Sequence, residues 1–185
     1  MKKTLLNRIS IVITENQRKR LSIIDGENFS VFIKHASKEL AKNREETLLS
    51  NDEADFALKQ YYSLAVLNPN NMHAVSASVD PYWHSHVLHT HAYADFCKRG
   101  IGYFMHHDPL DQDDPEKCKA VEDLYGYTLD ILRVIYKRSI NSQAWGNDVR
   151  MNRICWHFSN SSPATDAILP ADPRFEEVRK RYSLA

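Results

Sequence analysis

The segment VDPYWHSHVLHTHAYADFCKRGIGYFMHHDP, residues 79–109, contains six of the nine histidines in this 185-residue chain. A neutral imidazole is the commonest protein ligand for a transition metal, and its charge changes readily near neutral pH. The density of histidine therefore indicates that this segment contains the functional site. We take it as the functional core of a single domain that spans residues 1–185.

The boundaries of this segment predict a central helix. Asp80 is a good N-cap, and Pro81 suits the first helical position because it loses no needed hydrogen bond there. The helix is expected to run to about Arg99 and to stop at Gly100. A loop rich in Gly and Asp is expected from there to Asp114.

Helical geometry divides this predicted helix into two faces, at about 100° per residue. The first face carries Asp80, His84, Leu88, His91 and Asp95. The second face carries Trp83, His86, Thr90, Tyr93 and Cys97. Side chains four residues apart converge on a helix surface, so Asp80 with His84, or His91 with Asp95, could supply two ligands to one ion.

Further ligands are expected from the loop, where His106, His107 and Asp108 stand together. Asp80 and His84 with His107 would give two imidazoles and one carboxylate. That combination leaves coordination positions open for water, dioxygen or substrate on Fe(II) or Zn(II).

His86 or His91 is expected to complete this set, and Tyr93 to support it by hydrogen bonding. The sequence thus predicts a metal-dependent enzyme that acts on a small molecule or peptide. The divalent ion would be its cofactor.

Two other hypotheses explain the same residues. In the first, the histidines and Trp83 belong to a hydrogen-bonded structural core of a non-catalytic interaction module. In the second, Cys97 is the nucleophile of a hydrolase, paired with His86 or His107, which requires a lowered thiol pKa.

The rest of the chain predicts a predominantly α-helical fold, a compact bundle of four to five helices with at most a small N-terminal strand. Apolar residues recur at helical spacing over 28–42, 52–67 and 115–141, and a short charged helix is expected at 173–182. Alternating isoleucines at 8–15 predict the strand. At most one short helix is expected at 149–158.

Composition narrows the function classes. Lys plus Arg and Asp plus Glu number 24 each, so charge indicates neither a nucleic-acid nor a membrane-surface partner. The three cysteines are widely spaced, which argues against a disulfide framework and a thiolate zinc finger and favours the cytoplasm. Because no run of about 18 apolar residues occurs, no membrane-spanning helix is expected.

The WHxH element resembles the core motif of the glycine-rich domain-containing protein-like family, which occurs in plants, fungi and bacteria. The resemblance covers about thirty residues of the chain. It is carried by Asp80, Trp83, His84, His86, Tyr93, Cys97, Gly100 or Gly102, His107 and Asp108. It brings no established activity with it, and the chain lacks the glycine-rich tail of plant members, having only five Gly.

The resemblance and helical geometry favour different site residues. The resemblance implies a set made of Asp80, His84, His86, Tyr93, Cys97, His107 and Asp108. Geometry alone favours His84, His91 and Asp95. The choice between the two sets stays open at this point.

Overall fold

The computed structural model of the chain describes residues 4–42, 49–109, 113–146, 155–159 and 172–182. Within these ranges the chain forms seven α-helices and one small sheet. The predicted predominantly helical fold is confirmed, although four to five helices were too few. The helices are α1 (Glu15–Gly26), α2 (Ser30–Lys42), α3 (Asn51–Leu67), α4 (Asp80–Leu88), α5 (Thr90–Phe96), α6 (Pro115–Tyr136) and α7 (Pro173–Arg181).

The N-terminal segment leads into a helix and contains no strand within residues 4–14, so the predicted strand at 8–15 is wrong. The isoleucines at 9, 11 and 13 pack against the core from an irregular segment. The backbone N–H of Ser10 donates to the carbonyl of Ile135 on α6 at 2.8 Å, where a strand would need a neighbouring strand. Thr14 and Gln17 then start α1 with a reciprocal capping box, a signal present in the sequence.

Helix α3 lies at the centre of the core, and all of its residues from Ala57 onward are buried. The predicted helices at 28–42 and 52–67 are confirmed as α2 and α3. The predicted cap of the long helix is also confirmed, because the Asp114 side chain accepts from two backbone N–H groups of α6. Helix α6 ends at Tyr136 and is followed by a 3-10 turn at Lys137–Ser139. It is therefore shorter than expected, since its end was predicted near Asn141.

A three-stranded antiparallel sheet packs beside α6. Its strands are β1 (His73–Ala74), β2 (Met105–Pro109) and β3 (Cys155–Ser159), in the order β1-β3-β2. The expected loop at 100–114 therefore contains a strand. At most one short helix was expected at 149–158; residues 155–158 belong to strand β3, and 149–154 lie outside the described residues.

The predicted helix from Asp80 to Arg99 is broken at His89, whose backbone has φ −86° and ψ 63°. In a continuous helix the Ser85 carbonyl would accept from the backbone N–H of His89. Here the imidazole Nδ1 of His89 lies 2.6 Å from that carbonyl, and the His89 N–H turns to the His86 carbonyl instead. A side chain has thus taken the place of the backbone donor, and α5 starts in a new direction.

The chain then reaches β2 through a π-helical turn at Cys97–Ile101 and a tight bend at Gly102. Gly102 has φ +98°, a conformation that favours glycine. A Cβ atom there would also lie 2.0 Å from the Arg20 guanidinium, which would have to move aside, so the requirement for glycine comes from the backbone conformation. This bend returns β2 past the start of α4. In the described ranges no helix combines the length and apolar character needed to cross a bilayer.

Candidate metal centre

Asp80, His84 and His107 bring their donor atoms to one place. One ligand atom from each lies within 4.8 Å of the other two, the one such group of three among the described residues. The Nε2 atom of His84 contacts the Nε2 atom of His107 directly and lies 3.5 Å from Oδ1 of Asp80. These three residues could hold a metal ion.

The first turns of α4 and strand β2 position these donors. Asp80 and His84 are four residues apart on α4, so they lie one above the other on the same face. The N-cap position of α4 belongs to Val79, and Asp80 lies inside the helix, so its predicted capping role is wrong. The Asp80 carboxylate instead faces the His84 imidazole.

The spacing of the donors fits a small divalent ion after a modest adjustment. Metal bonds of about 2.0–2.2 Å to nitrogen and oxygen place neighbouring donors about 3–3.6 Å apart. The Asp80–His84 separation of 3.5 Å already lies in this range. The two imidazoles would have to move apart slightly to admit an ion between their Nε2 atoms.

Burial keeps the His84 imidazole in the neutral form that can bind a cation. Burial, with the neighbouring His107 as a smaller cause, lowers the pKa of His84 to about 4. His84 is therefore neutral near pH 7, the form that coordinates metals. The side chain of Asp80 is only 7% exposed, whereas that of His84 is 41% exposed, so the cluster is closed at the carboxylate and open to solvent at the imidazole.

Two buried aromatic residues hold His107 in position. The buried Trp83 ring packs against the His107 ring, with the two centroids 4.9 Å apart and the ring planes tilted by 46°. The Tyr93 hydroxyl donates to the carbonyl of Met105, two residues before His107, at 2.5 Å. Tyr93 thereby ties α5 to β2 rather than touching the three donors. Its burial raises its pKa well above the usual value, which keeps the hydroxyl protonated as a donor.

A family model describes the region that contains these donors. It matches residues 19–119, more than half of the chain. The chain belongs to the UCP032817-like family. No curated protein and no solved structure matches the chain. All three donors lie within the part of the chain that the UCP032817-like family shares, while membership of the glycine-rich domain-containing protein-like family stays a prediction.

His86 does not join the cluster of this UCP032817-like protein, although it is only two residues from His84. It is 1% exposed, and its Nδ1 lies 2.7 Å from the Tyr62 hydroxyl. Four more rings surround its imidazole with centroids 4.3–5.3 Å away; they belong to Phe29, Phe32, Tyr93 and Phe96. Burial, with a smaller contribution from His89, lowers the pKa of His86 to about 3, so it is a neutral core residue.

The other predicted ligands lie outside the cluster as well. His91 is exposed on α5. The break at His89 separates α5 from α4, so His91 and His84 no longer share one continuous helix face. His106 is exposed, and its ring packs against Phe104. The side chain of Asp108 lies outside what the structure describes.

Cys97 is placed unfavourably for a nucleophile. It is 1% exposed, and burial raises the pKa of its thiol above the usual value. Its polar neighbours are the Tyr93 side chain and the Met105 backbone, which lower that pKa by less than burial raises it. A reactive cysteine needs the opposite, an accessible thiol with a lowered pKa.

The partners that hold His86 have no local signal in the sequence. Tyr62 and Phe32 come from α3 and α2, at least 24 residues away along the chain. They stand on the apolar stripes of their own helices, so no local pattern connects them to His86. His35 on α2 likewise has no local signal that connects it to α4, where its Nδ1 lies 3.3 Å from the Ser85 hydroxyl.

Proposed function

We propose that this protein binds a divalent metal ion, Fe(II) or Zn(II), through Asp80, His84 and His107, and is a metal-dependent enzyme acting on a small molecule or peptide. The observation that carries the proposal is the convergence of three donor atoms within 4.8 Å from two separate elements, α4 and β2. Two imidazoles and one carboxylate are a ligand set used by non-haem iron and catalytic zinc proteins.

The partial exposure of the cluster favours an enzyme over a purely structural ion. Structural zinc sites are usually closed by four protein ligands, whereas catalytic sites keep a position for water or substrate. Here three protein donors converge, and His84 keeps 41% of its side chain exposed. A bound ion would there polarise a substrate oxygen or activate a water molecule.

The residues around the donors have supporting roles. The carboxylate of Asp80 supplies a buried negative charge that offsets the charge of a cation. Trp83 excludes water from one side of His107, and the Tyr93 contact to the Met105 carbonyl fixes the strand that carries it. These contacts preorganise the donors before any ion arrives, which lowers the cost of binding.

Elemental analysis of the protein purified without a nickel column tests the proposal. We expect about one equivalent of iron or zinc to remain bound through gel filtration, or to be taken up by the metal-free protein under anaerobic conditions. His84→Ala should lose this ion, because the two remaining donors, Asp80 and His107, are too few to hold it. His91→Ala is the matched control, since it removes an exposed histidine from the next helix.

Two results would contradict the proposal. One is a folded native protein that neither retains nor takes up iron or zinc at micromolar concentration. The other is equal ion content in His84→Ala and the native protein. A circular dichroism spectrum of each variant shows whether the helical fold is preserved.

The interaction module with a structural histidine core is the second candidate, and the aromatic surroundings of His86 favour it. In that case His84→Ala would change neither ion content nor fold, while substitution of His86 would destabilise the protein. The Cys97 hydrolase has no such support, because its thiol is buried with a raised pKa.

A further inference from the structure

A second pair of histidine rings lies where α2 meets the junction of α4 and α5. The ring centroids of His35 and His89 are 5.7 Å apart, and the ring planes are nearly perpendicular at 87°. His35 is exposed and His89 half-buried, so solvent reaches this pair. Neither residue belongs to the cluster of Asp80, His84 and His107.

Ser85 holds both imidazoles by the same ring nitrogen. The Nδ1 atom of His89 lies 2.6 Å from the Ser85 carbonyl, which can only accept, so this Nδ1 carries the hydrogen. The Nδ1 atom of His35 lies 3.3 Å from the Ser85 hydroxyl, which can accept in the same way. With Nδ1 protonated, Nε2 of His89 is the deprotonated nitrogen of a neutral imidazole, the atom that coordinates a metal. His35 has the same form when its Nδ1 donates to the Ser85 hydroxyl.

This pattern is the usual outer shell of a histidine ligand. Metal-binding histidines commonly donate the hydrogen of their second nitrogen to a carbonyl, a carboxylate or another acceptor, which fixes the tautomer and the ring orientation. Here the Ser85 carbonyl is the acceptor for His89, and the Ser85 hydroxyl can be the acceptor for His35.

The separation of the rings also fits a shared ion. Two imidazoles bound to one ion by bonds of about 2.1 Å have centroids about 4.6–5.6 Å apart at coordination angles of about 90–120°. The observed 5.7 Å lies at the upper edge of that range, so a small movement of the exposed His35 side chain brings both rings onto one ion. The Phe32 ring packs edge-on against His89, with centroids 4.9 Å apart, and closes one side of the site.

We propose that His35 and His89 form a second, solvent-accessible site for a divalent ion that prefers imidazole, such as Zn(II), Cu(II) or Ni(II). Water completes the coordination. With two protein ligands, this site binds more weakly than the three-residue cluster and fills after it. The ion links α2 to the end of α4, and the site stands whether or not the cluster at Asp80 is catalytic.

Zinc titration of the metal-free, untagged protein by isothermal calorimetry tests this proposal. We expect two binding events in the native protein, and loss of the weaker one in His35→Gln and in His89→Gln, with affinity at that site reduced roughly tenfold or more. His91→Gln is the control, because it removes an exposed histidine that neither site uses. His84→Ala should lose the tighter event and keep the weaker one.

Different patterns of loss separate this proposal from the previous one. If the three-residue cluster binds no metal, the native protein shows one event, and His35→Gln removes it. A single event that His35→Gln and His89→Gln leave intact would overturn the second site. So would a second event that survives in both variants. Since His35 is exposed, its substitution leaves the fold in place, and the metal-free melting curve checks this.

Discussion

His84 and His86 stand two residues apart on the same helix and have opposite surroundings. The side chain of His84 is 41% exposed, and its Nε2 faces a second imidazole and a carboxylate. His86 is 1% exposed and is enclosed by aromatic rings, with one hydroxyl partner from Tyr62. The sequence WHSH therefore gives two imidazoles of the same type different roles, one in a candidate site and one in the core.

This difference follows from helical geometry. Residues two apart point about 160° away from each other around the axis, since each residue turns about 100°. A helix packed on one side by α2 and α3 and on the other by β2 must send its two histidines to different neighbours. The density of histidine in the sequence overstates the number of ligands for that reason.

Substitution of His86 should give the largest loss of stability. His86→Ala removes a buried ring and leaves the Tyr62 hydroxyl without its partner, which should lower the free energy of unfolding by about 3–5 kcal/mol. His84→Ala in the metal-free protein should lower it by less than about 1 kcal/mol, because the side chain is partly exposed. Urea unfolding of the two metal-free variants measures both values. If His86→Ala and His84→Ala lowered the free energy of unfolding equally, the two histidines would not have the different roles described above.

A second buried histidine, His73, extends the comparison to pH. It is fully buried on β1, with Nε2 near the Asn68 amide, and burial lowers its pKa to about 3. The unfolded chain binds this proton more tightly, near pH 6.5, so stability is complete above that pH and is lost as pH falls toward 3. The loss is about 1.4 kcal/mol for each pH unit, or about 2.7 kcal/mol at pH 4.5.

Comparison with His73→Gln isolates this contribution. The free energy of unfolding of the native protein should fall more steeply between pH 6.5 and 4.5 than that of the variant. Other groups titrate in both proteins and cancel in the difference. Parallel pH curves would show that His73 is protonated without cost in the folded state.

The sequence predicted the helices better than the sheet. Helices α2, α3 and α6 carry long apolar stripes, and α6 is preceded by the Asp114–Pro115 cap, so local signals were sufficient. Strands β1 and β3 have two and five residues, too few for a period-two pattern to stand out. Their pairing depends on contacts between distant segments, which a single sequence does not display.

The candidate site was predicted only in part, because some of its features have local sequence signals and others depend on contacts that the sequence does not display. Asp80 and His84 follow from the four-residue spacing within α4, and His107 from the bend after it. His91 lies outside the cluster because the helix breaks at His89, and that break depends on a side chain displacing a backbone donor at the Ser85 carbonyl. Helical periodicity assumes that every backbone bond is made, so it contains no signal for such a break.

Removal of the Tyr93 hydroxyl should give the smallest effect on stability and a distinct effect on metal binding. Tyr93→Phe loses the hydrogen bond to the Met105 carbonyl, which should lower the free energy of unfolding by about 1 kcal/mol. Since this bond fixes the strand that carries His107, affinity for the ion at the three-residue cluster should fall roughly tenfold.

Tyr125→Phe is the matched control, because the Tyr125 hydroxyl also donates to a backbone carbonyl, that of Gly146, at 2.7 Å. It should cost a similar free energy of unfolding and leave the affinity of the cluster unchanged. Urea unfolding and competition with a chromophoric chelator measure the two quantities. If both variants bind the ion equally well, Tyr93 contributes to the fold alone, and the set that positions His107 reduces to Trp83 and the β2–β3 pairing.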